Sequence, residues 1–489
     1  MSNFRLSDVL AGTRGVVRGE LASDTVFPEL ERDSRNVGRR DLFIAIKGEH
    51  FDGHDFVPAA LDAGAAAAIV SEAWADAHPE IAQPLIVVDE PIAALQRWAT
   101  WKRDQMDTLV IGITGSVGKT SAKESVTAVL SQRYEVYRSP GNFNSELGLP
   151  LALLEAPMDA QIMVLEMGGA YAFGELALLA GIAKPEIGVV TNVYPVHIER
   201  MGSLEAIAKT KAELVESLPE TGIAVLNGDD FRVRAMAELT NARVVTFGLE
   251  EGNDVRAEAV TTDGWKGTSF RVTIEGEHNY VKVPFIGAHG VQIALVALAV
   301  GYSFGMHVSE MILGLQDPSI QVRLLFVPGP RGSHLIDDTY NASSPSVLSA
   351  LGVLQEVPAT RRIAVLGEMR ELGDLSEQEH RLVGQRAGDV VDMLITFGDE
   401  ARIMADEALA VARGNGHELI VHSYAEDERE AMTDFLAHEL RQGDVVLLKG
   451  SRGLLMENIV AALRSDTNSA EPGDDTSSRA TESNAVPEA

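Results

Sequence analysis

The 489-residue chain contains no cysteine. Disulfides, thiolate metal sites and cysteine nucleophiles are therefore excluded. Lysine is scarce: ten, at positions 47, 102, 119, 123, 184, 209, 211, 266, 282 and 449, against 31 arginines. Each retained lysine is a candidate for a need for an amine, with coding bias as the plainer explanation. Long apolar runs are missing too; none reaches the ~18 residues that cross a membrane. Positive charge is in deficit, 41 basic residues against 72 acidic ones and a formal net charge of −31. Nucleic acid is not expected as a main partner, because binding it needs a basic surface. The N-terminus, MSNFRLSDVL, lacks the charged-then-apolar pattern of a secretory signal. A soluble cytoplasmic protein with no membrane span is expected.

Length suggests about three domains, and 45% hydrophobic residues are ample for their cores. The most informative stretch is Leu109 to Ser125, LVIGITGSVGKTSAKES. Leu109–Ile113 reads as a buried strand, Gly115, Ser116 and Gly118 as a tight loop, and Ser121–Ser131 as a helix. Strand, glycine loop, Lys-Thr and helix make the phosphate-cradling arrangement. Loop amides from Thr114 to Ser121, with Val117 among them, face the phosphates; Lys119 adds a point charge, and the Thr120 hydroxyl can hold Mg²⁺. The usual G-x-x-x-x-G-K-[ST] spacing places glycine at 113, which here is Ile113. The loop instead reads G-x-x-G-x-x-G-K-T from Gly112.

Other polar groups stand at strand ends, where open α/β sheets bind ligands. Strand Ile162–Leu165 ends in Glu166, a candidate Mg²⁺ holder. Strand Ile187–Val190 ends in Thr191-Asn192 and leads to His197, a turn histidine or a member of the same site. Asn142 and Asn144 flank Phe143 and serve as turn caps or ligand contacts. Ser203 N-caps a helix reaching about Leu218, whose apolar stripe is Leu204, Ile207, Lys211, Leu214 and Leu218. Lys211 inside that stripe either snorkels to water or is desolvated and neutral. A neutral amine can react with CO₂ to give a carbamate, an anionic oxygen ligand.

Toward the N-terminus, Ser34, Arg35, Lys47 and His54 form a polar group that is either ordinary solvated loop or suited to an anionic, uridine-like ligand. Residues 243–286 alternate and predict antiparallel strands. Gly287–Tyr302 opens with His289 and predicts a helix. After about 311, strands at Leu335–Asp338, Ile363–Leu366, Met393–Phe397 and Val445–Leu448 alternate with helices, which predicts a parallel sheet. The last ends in Lys449-Gly450-Ser451-Arg452, a basic strand end that could grip carboxylate or phosphate. Residues 465–489 are too poor in apolar side chains to order themselves.

In order and spacing, many of these segments resemble the Mur ligase family. They are Asp33-Ser34-Arg35, the Lys47–His54 turn, Gly115–Thr120 with Lys123-Glu124, GNFNSELGLPL from Gly141, LEMGG from Leu165 and Thr191-Asn192 through His197. Lys211, Asp337–Ala342, VLGEMRELG from Val365 and KGSR from Lys449 complete the set. The resemblance implies an α/β, three-domain architecture: a UDP-substrate domain at 1–100, a phosphate-loop ATPase domain at 101–310, and a Rossmann-like domain at 311–464. A disordered acidic tail at 465–489 follows. It implies ATP-dependent addition of D-Ala-D-Ala to UDP-MurNAc-tripeptide through an acyl phosphate, with ATP and Mg²⁺ as cofactors, by a monomer in the cytoplasm.

The resemblance also implies roles. Lys119 and the loop amides hold the ATP phosphates; Thr120 and Glu166 bind one Mg²⁺, and His197 with carbamylated Lys211 helps hold a second. Lys119, His197 and Lys211 are thereby the catalytic set. Asn192, His289, Arg323 and Asp338 surround the nucleotide. Ser34, Arg35 and Lys47 contact the UDP-sugar, and Asn142 and Asn144 lie near the ATP and acceptor site. Tyr340, Asn341, Lys449, Ser451 and Arg452 border the dipeptide. Two departures stand out. The family's G-x-H-N-x-x-N pattern reads Gly287-Ala288-His289-Gly290-Val291-Gln292-Ile293, and Ser343-Ser344-Pro345 replaces the usual Asn-Pro. The alternatives are another amino-acid-adding ligase of this type, a folylpolyglutamate-synthase relative, or a non-catalytic nucleotide-binding paralogue.

Overall fold

The computed structural model describes residues 3–48, 51–169, 172–317 and 324–468, leaving aside the side chains of 288–289 and 465–468. Packing divides it into two units. One takes Met1–Arg323 with Ser343–Pro358 and Met369–Val383; the other takes Leu324–Ala342, Ala359–Glu368 and the chain from Gly384.

The first unit begins with a small sheet in the order Val16–Arg18, Leu85–Val88, Ala67–Ser71, Leu42–Ile44, Leu30–Glu31, parallel except at its first pairing. Its three central strands, Leu85–Val88, Ala67–Ser71 and Leu42–Ile44, are mostly Val, Ile, Leu, Phe and Ala and are largely buried, as parallel strands covered on both faces are. A larger sheet follows. Its order is Glu277–Val283, Thr268–Ile274, Val255–Thr262, Arg243–Gly248, Ile223–Asn227, Ile187–Val190, Leu109–Thr114, Ile162–Glu166, Val136–Arg138.

Chain order reverses about Leu109–Thr114. This strand lies between Ile162–Glu166 and Ile187–Val190, parallel to both. Such a reversal opens a crevice at the carboxyl ends of the strands. The phosphate loop, Glu166 and Thr191-Asn192 leave those three neighbouring ends. The expected all-antiparallel run over 243–286 is only partly observed. Arg243–Gly248 pairs in parallel with strands on both sides, and only the next three strands pair antiparallel.

The second unit holds a six-stranded sheet, Leu325–Pro328, His334–Asp337, Asp444–Lys449, Arg361–Gly367, Met393–Phe397, Ile420–Tyr424, parallel except for its first strand. Helices cross the domain limits expected at 100/101, 310/311 and 464/465: Pro91–Arg103, Val308–Leu315 and Glu457–Asn468. Val308–Leu315 buries Met311 and Leu315 in the core of the large sheet, which keeps it with the middle of the chain. Residues 469–489 of the expected tail lie outside the described residues. No helix among the described residues is long and apolar enough to cross a membrane.

Candidate active site

The loop after Leu109–Thr114 turns at Gly115 (φ +146°) and Gly118 (φ +85°). A Cβ on Gly115 would sit 2.0 Å from Thr191 Oγ1, so glycine is required by both backbone and space. Gly118 is the N-cap of helix Lys119–Leu130 and has no side chain to cap it. A helix N-terminus opening directly from a glycine loop is the arrangement that binds phosphate.

The neighbouring strand end braces this loop. Asn192 Oδ1 accepts from Val117 N at 2.8 Å, and its Nδ2 donates to Val117 O at 3.0 Å. Thr191 Oγ1 donates to the same carbonyl at 2.9 Å. Ser116 Oγ donates to Tyr194 O at 3.0 Å. Asn192 therefore acts on the loop's shape, with both amide atoms engaged by Val117. Lys119 Nζ folds over the loop, donating to Gly115 O at 2.7 Å and Ser116 O at 3.2 Å.

On the other side, the Thr120 hydroxyl donates to Glu166 Oε2 at 2.8 Å. Asn144 Nδ2 donates to Glu166 Oε1 at 2.7 Å. The structure thus joins three residues picked from separate segments, and Glu166 is 1% exposed. Asn142 is exposed, and its carbonyl accepts from Asn144 N. The donor set of one hydroxyl and one carboxylate suits Mg²⁺, which takes few protein ligands and keeps phosphate and water oxygens. Among the described residues no group of three or more His, Asp or Glu forms a metal cage.

Lys211 is buried, as its place in the apolar stripe required. Its Nζ donates to Gly168 O at 2.9 Å and Gly169 O at 2.7 Å. Thr114 Oγ1 reaches the same Gly168 carbonyl at 3.1 Å, which ties this lysine to the loop strand. Burial, helped by the charge of Lys119, lowers the Lys211 pKa from 10.5 to about 7. Burial and the two carbonyl partners exclude the snorkelling alternative. His197 has a left-handed backbone (φ +54°) and pairs through Nδ1 with Glu371. Burial lowers its pKa, opposed by Glu371.

In the second unit, Lys449 Nζ donates to Asp338 Oδ2 at 2.6 Å and to Asn341 O at 2.8 Å. The basic strand end holds a carboxylate of its own chain. Ser451 is buried there, and Arg452 lies 5.1 Å from the Tyr340 ring centroid. In the small sheet, Arg35 is exposed and bonded to Asp33, while Lys47 is exposed beside Asp52. Ser34 is half-buried. His54 is structural: Nδ1 meets Asp52 at 2.6 Å, and Nε2 accepts from Ser71 N at 3.0 Å.

Three family models match the chain in series: "Mur ligase family, catalytic domain" at 29–102, "Mur ligase middle domain" at 113–301 and "Mur ligase, glutamate ligase domain" at 322–452. The UDP-N-acetylmuramoyl-tripeptide–D-alanyl-D-alanine ligase of Bacillus subtilis is 34% identical over 455 residues, covering 92% of this chain and 96% of that protein. The chain belongs to the Mur ligase family. The crystal structure of MurF from Acinetobacter baumannii superposes with a TM-score of 0.83 at 27% identity, covering 95% of this chain and 99% of that one. The MurF ligase of Thermotoga maritima in complex with ADP gives 0.76 at 29% identity, covering 91% and 98%.

Two departures from the Mur ligase pattern have local causes. At Gly290 a Cβ would lie 2.5 Å from the Phe285 Cβ, so asparagine is excluded beside this phenylalanine. Ile293 is buried in the core, where an amide would be costly. Gln292 instead reaches Asp229 Oδ2 at 3.1 Å. In Ser343-Ser344-Pro345, Ser343 exchanges hydrogen bonds with Ser346 at the start of helix Ser344–Glu356, and Ser344 donates to Glu379. The His289 side chain and Arg323 lie outside the described residues.

Sequence reading assigned no role to Lys123 or Glu371. Lys123 is fully buried and donates to Ser139 O at 2.7 Å and Gly141 O at 2.8 Å, fastening the Asn144 loop to the phosphate-loop helix. Its signal was present in the sequence, a scarce lysine one helical turn after Lys119. Glu371 falls in the VLGEMRELG segment, but nothing in that segment pointed to His197, 174 residues away.

Proposed function

We propose that this Mur ligase is an ATP-dependent peptide ligase joining D-Ala-D-Ala to UDP-MurNAc-tripeptide, as the printed names of its relatives describe for them. Residues 1–100 would take the UDP-substrate, 101–310 ATP and 311–464 the dipeptide. The reading makes it a cytoplasmic monomer. What carries it is the phosphate loop with Thr120, Asn144 and Glu166 on one side and buried Lys211 on the other.

The loop amides and Lys119 bind the ATP phosphates and offset charge on the moving phosphoryl group. The tripeptide's terminal carboxylate attacks the γ-phosphorus, ADP leaves, and an acyl phosphate forms. The dipeptide amine then adds to the acyl carbon, the tetrahedral adduct collapses, and phosphate and a proton depart. Thr120 and Glu166 are the residues to hold one Mg²⁺, with His197 and Lys211 serving a second. Bound there, Mg²⁺ supplies charge neutralisation at the phosphates. Lys211 can serve because burial, by lowering its pKa to about 7, leaves a substantial neutral fraction of its amine at pH 7, and the neutral amine can add CO₂, losing a proton to become an anionic carbamate. Arginine stays charged and cannot do so. Ser34, Arg35 and Lys47 would meet the UDP-sugar. Asp338, Tyr340, Asn341, Lys449, Ser451 and Arg452 would meet nucleotide and dipeptide.

The test is phosphate release from ATP with Mg²⁺ and UDP-MurNAc-tripeptide, with and without D-Ala-D-Ala. Release that depends on the dipeptide and yields pentapeptide is the expected result. Turnover with a single amino acid would change the substrate, and no turnover despite ATP binding would overturn the reading.

A further inference from the structure

We infer that Glu371 is a positioning residue for His197, fixing the tautomer and direction of the imidazole at the reacting end of ATP. This rests on the reading above, in which His197 serves a metal. Three contacts carry it. The Glu371 carboxylate pairs with His197 Nδ1, so the proton sits on Nδ1 and the lone pair on Nε2. A carboxylate behind a ligand histidine is the usual way to fix that tautomer and raise the basicity of the ligating nitrogen. Glu199 N donates to the Glu371 carbonyl at 3.3 Å, and Arg200 Nη2 lies 3.9 Å from Glu371 Oε1. The short helix Ile198–Met201 after His197 therefore grips the same residue through backbone and side chain.

Strain supports a purpose beyond packing. Glu371 (φ +65°) and His197 (φ +54°) both hold left-handed backbones that non-glycine residues avoid. Gly373, also left-handed at φ +52°, passes close enough to Glu199 that a Cβ would meet its Cα at 3.4 Å. The segment is also held from behind. Buried His380 accepts from Met369 N at 3.0 Å through Nε2, and its Nδ1 lies 2.7 Å from Ser376 O. Glu371 lies in the stretch matched by the C-terminal family model, yet Met369–Val383 packs in the first unit with His197. The pairing therefore lies within one packed unit.

The experiment is Mn²⁺ titration of the full chain with ADP present, read by the electron paramagnetic resonance of free Mn²⁺. Wild type, Glu371→Ala, Glu371→Gln and His197→Ala are compared, with thermal melts and metal-free ADP affinity alongside. Glu371→Ala should weaken Mn²⁺ by about 10-fold or more and leave metal-free ADP affinity unchanged. Glu371→Gln keeps an acceptor for the Nδ1 proton and should lose less; it also decides the matter if the alanine variant does not fold. Unchanged Mn²⁺ affinity in both Glu371 variants, with loss in His197→Ala, overturns this proposal alone and makes Glu371 a latch. Unchanged Mn²⁺ affinity in His197→Ala removes the metal role of His197, and the proposal falls with it.

Discussion

Half of the ten lysines are held by backbone carbonyls. Lys102, Lys119, Lys123 and Lys211 each donate to two of them, and Lys449 to one carbonyl and a carboxylate. A compact amine on a flexible stem suits such a setting. Lys211 is the member with a chemical consequence. Its pKa falls from 10.5 to about 7, chiefly through burial. Between those values the unfolded chain binds more protons than the folded one, so stability rises with pH across that window and the cost is full below it. Urea midpoints of Lys211→Met should accordingly vary less between pH 7 and 10 than those of wild type. The same shift governs carbamate formation, which needs the neutral amine. Enzyme stripped of CO₂ should regain ligation on adding bicarbonate at pH 8 and regain little at pH 6. Lys211→Ala should lose roughly 10²-fold or more in kcat, with partial rescue by a short-chain carboxylate.

At the scale of the element, the phosphate loop depends on its neighbour as much as on its own glycines. Gly115→Ala should cost about 10²-fold or more in ATP affinity, because the new methyl enters Thr191 and the φ of +146° suits only glycine. Gly141→Ala, left-handed at φ +45° but facing open space, should cost only ~1–2 kcal/mol and leave ATP binding intact. Isothermal titration with ATP separates the two. The central strands of both large sheets were legible because they are buried on both faces and read as apolar runs. Leu325–Pro328 and Ile420–Tyr424 escaped notice because they are half-exposed edge strands without such runs. The parallel pairing of Arg243–Gly248 was hidden for another reason. Alternation reports which face is buried, while direction depends on a partner distant in sequence.

At the scale of the molecule, a net charge of −31 makes the compact state repel itself. Raising NaCl from low to about 0.5 M should raise the melting temperature by about 2–4 °C, the effect of roughly 1 kcal/mol on a domain of ordinary size. Scanning fluorimetry at several salt concentrations reads this directly. One contact runs against that trend. Arg103 is buried and donates to Ala183 O, Met106 O and Glu186, while Glu186 also accepts from Val110 N at 2.7 Å. Arg103→Met should destabilise by ~1–3 kcal/mol, read from urea midpoints, because it leaves the Ala183 and Met106 carbonyls without this donor, with little change at high salt.

The sequence by itself determined the phosphate loop, the carboxylate after its neighbouring strand, the anomalous lysine in an apolar stripe and the order of segments that marks the family. Each of these is local: a spacing, a strand end or a helical period. Only the tertiary structure decided that Asn192 braces the loop, that His54 is a structural tie, that Lys449 is already paired with Asp338 and that Glu371 stands behind His197. Three of these join atoms about 75 to 174 residues apart, and His54 reaches Ser71, 17 residues on. Polar side chains satisfy one another before any ligand arrives, and that choice of partner is made by packing.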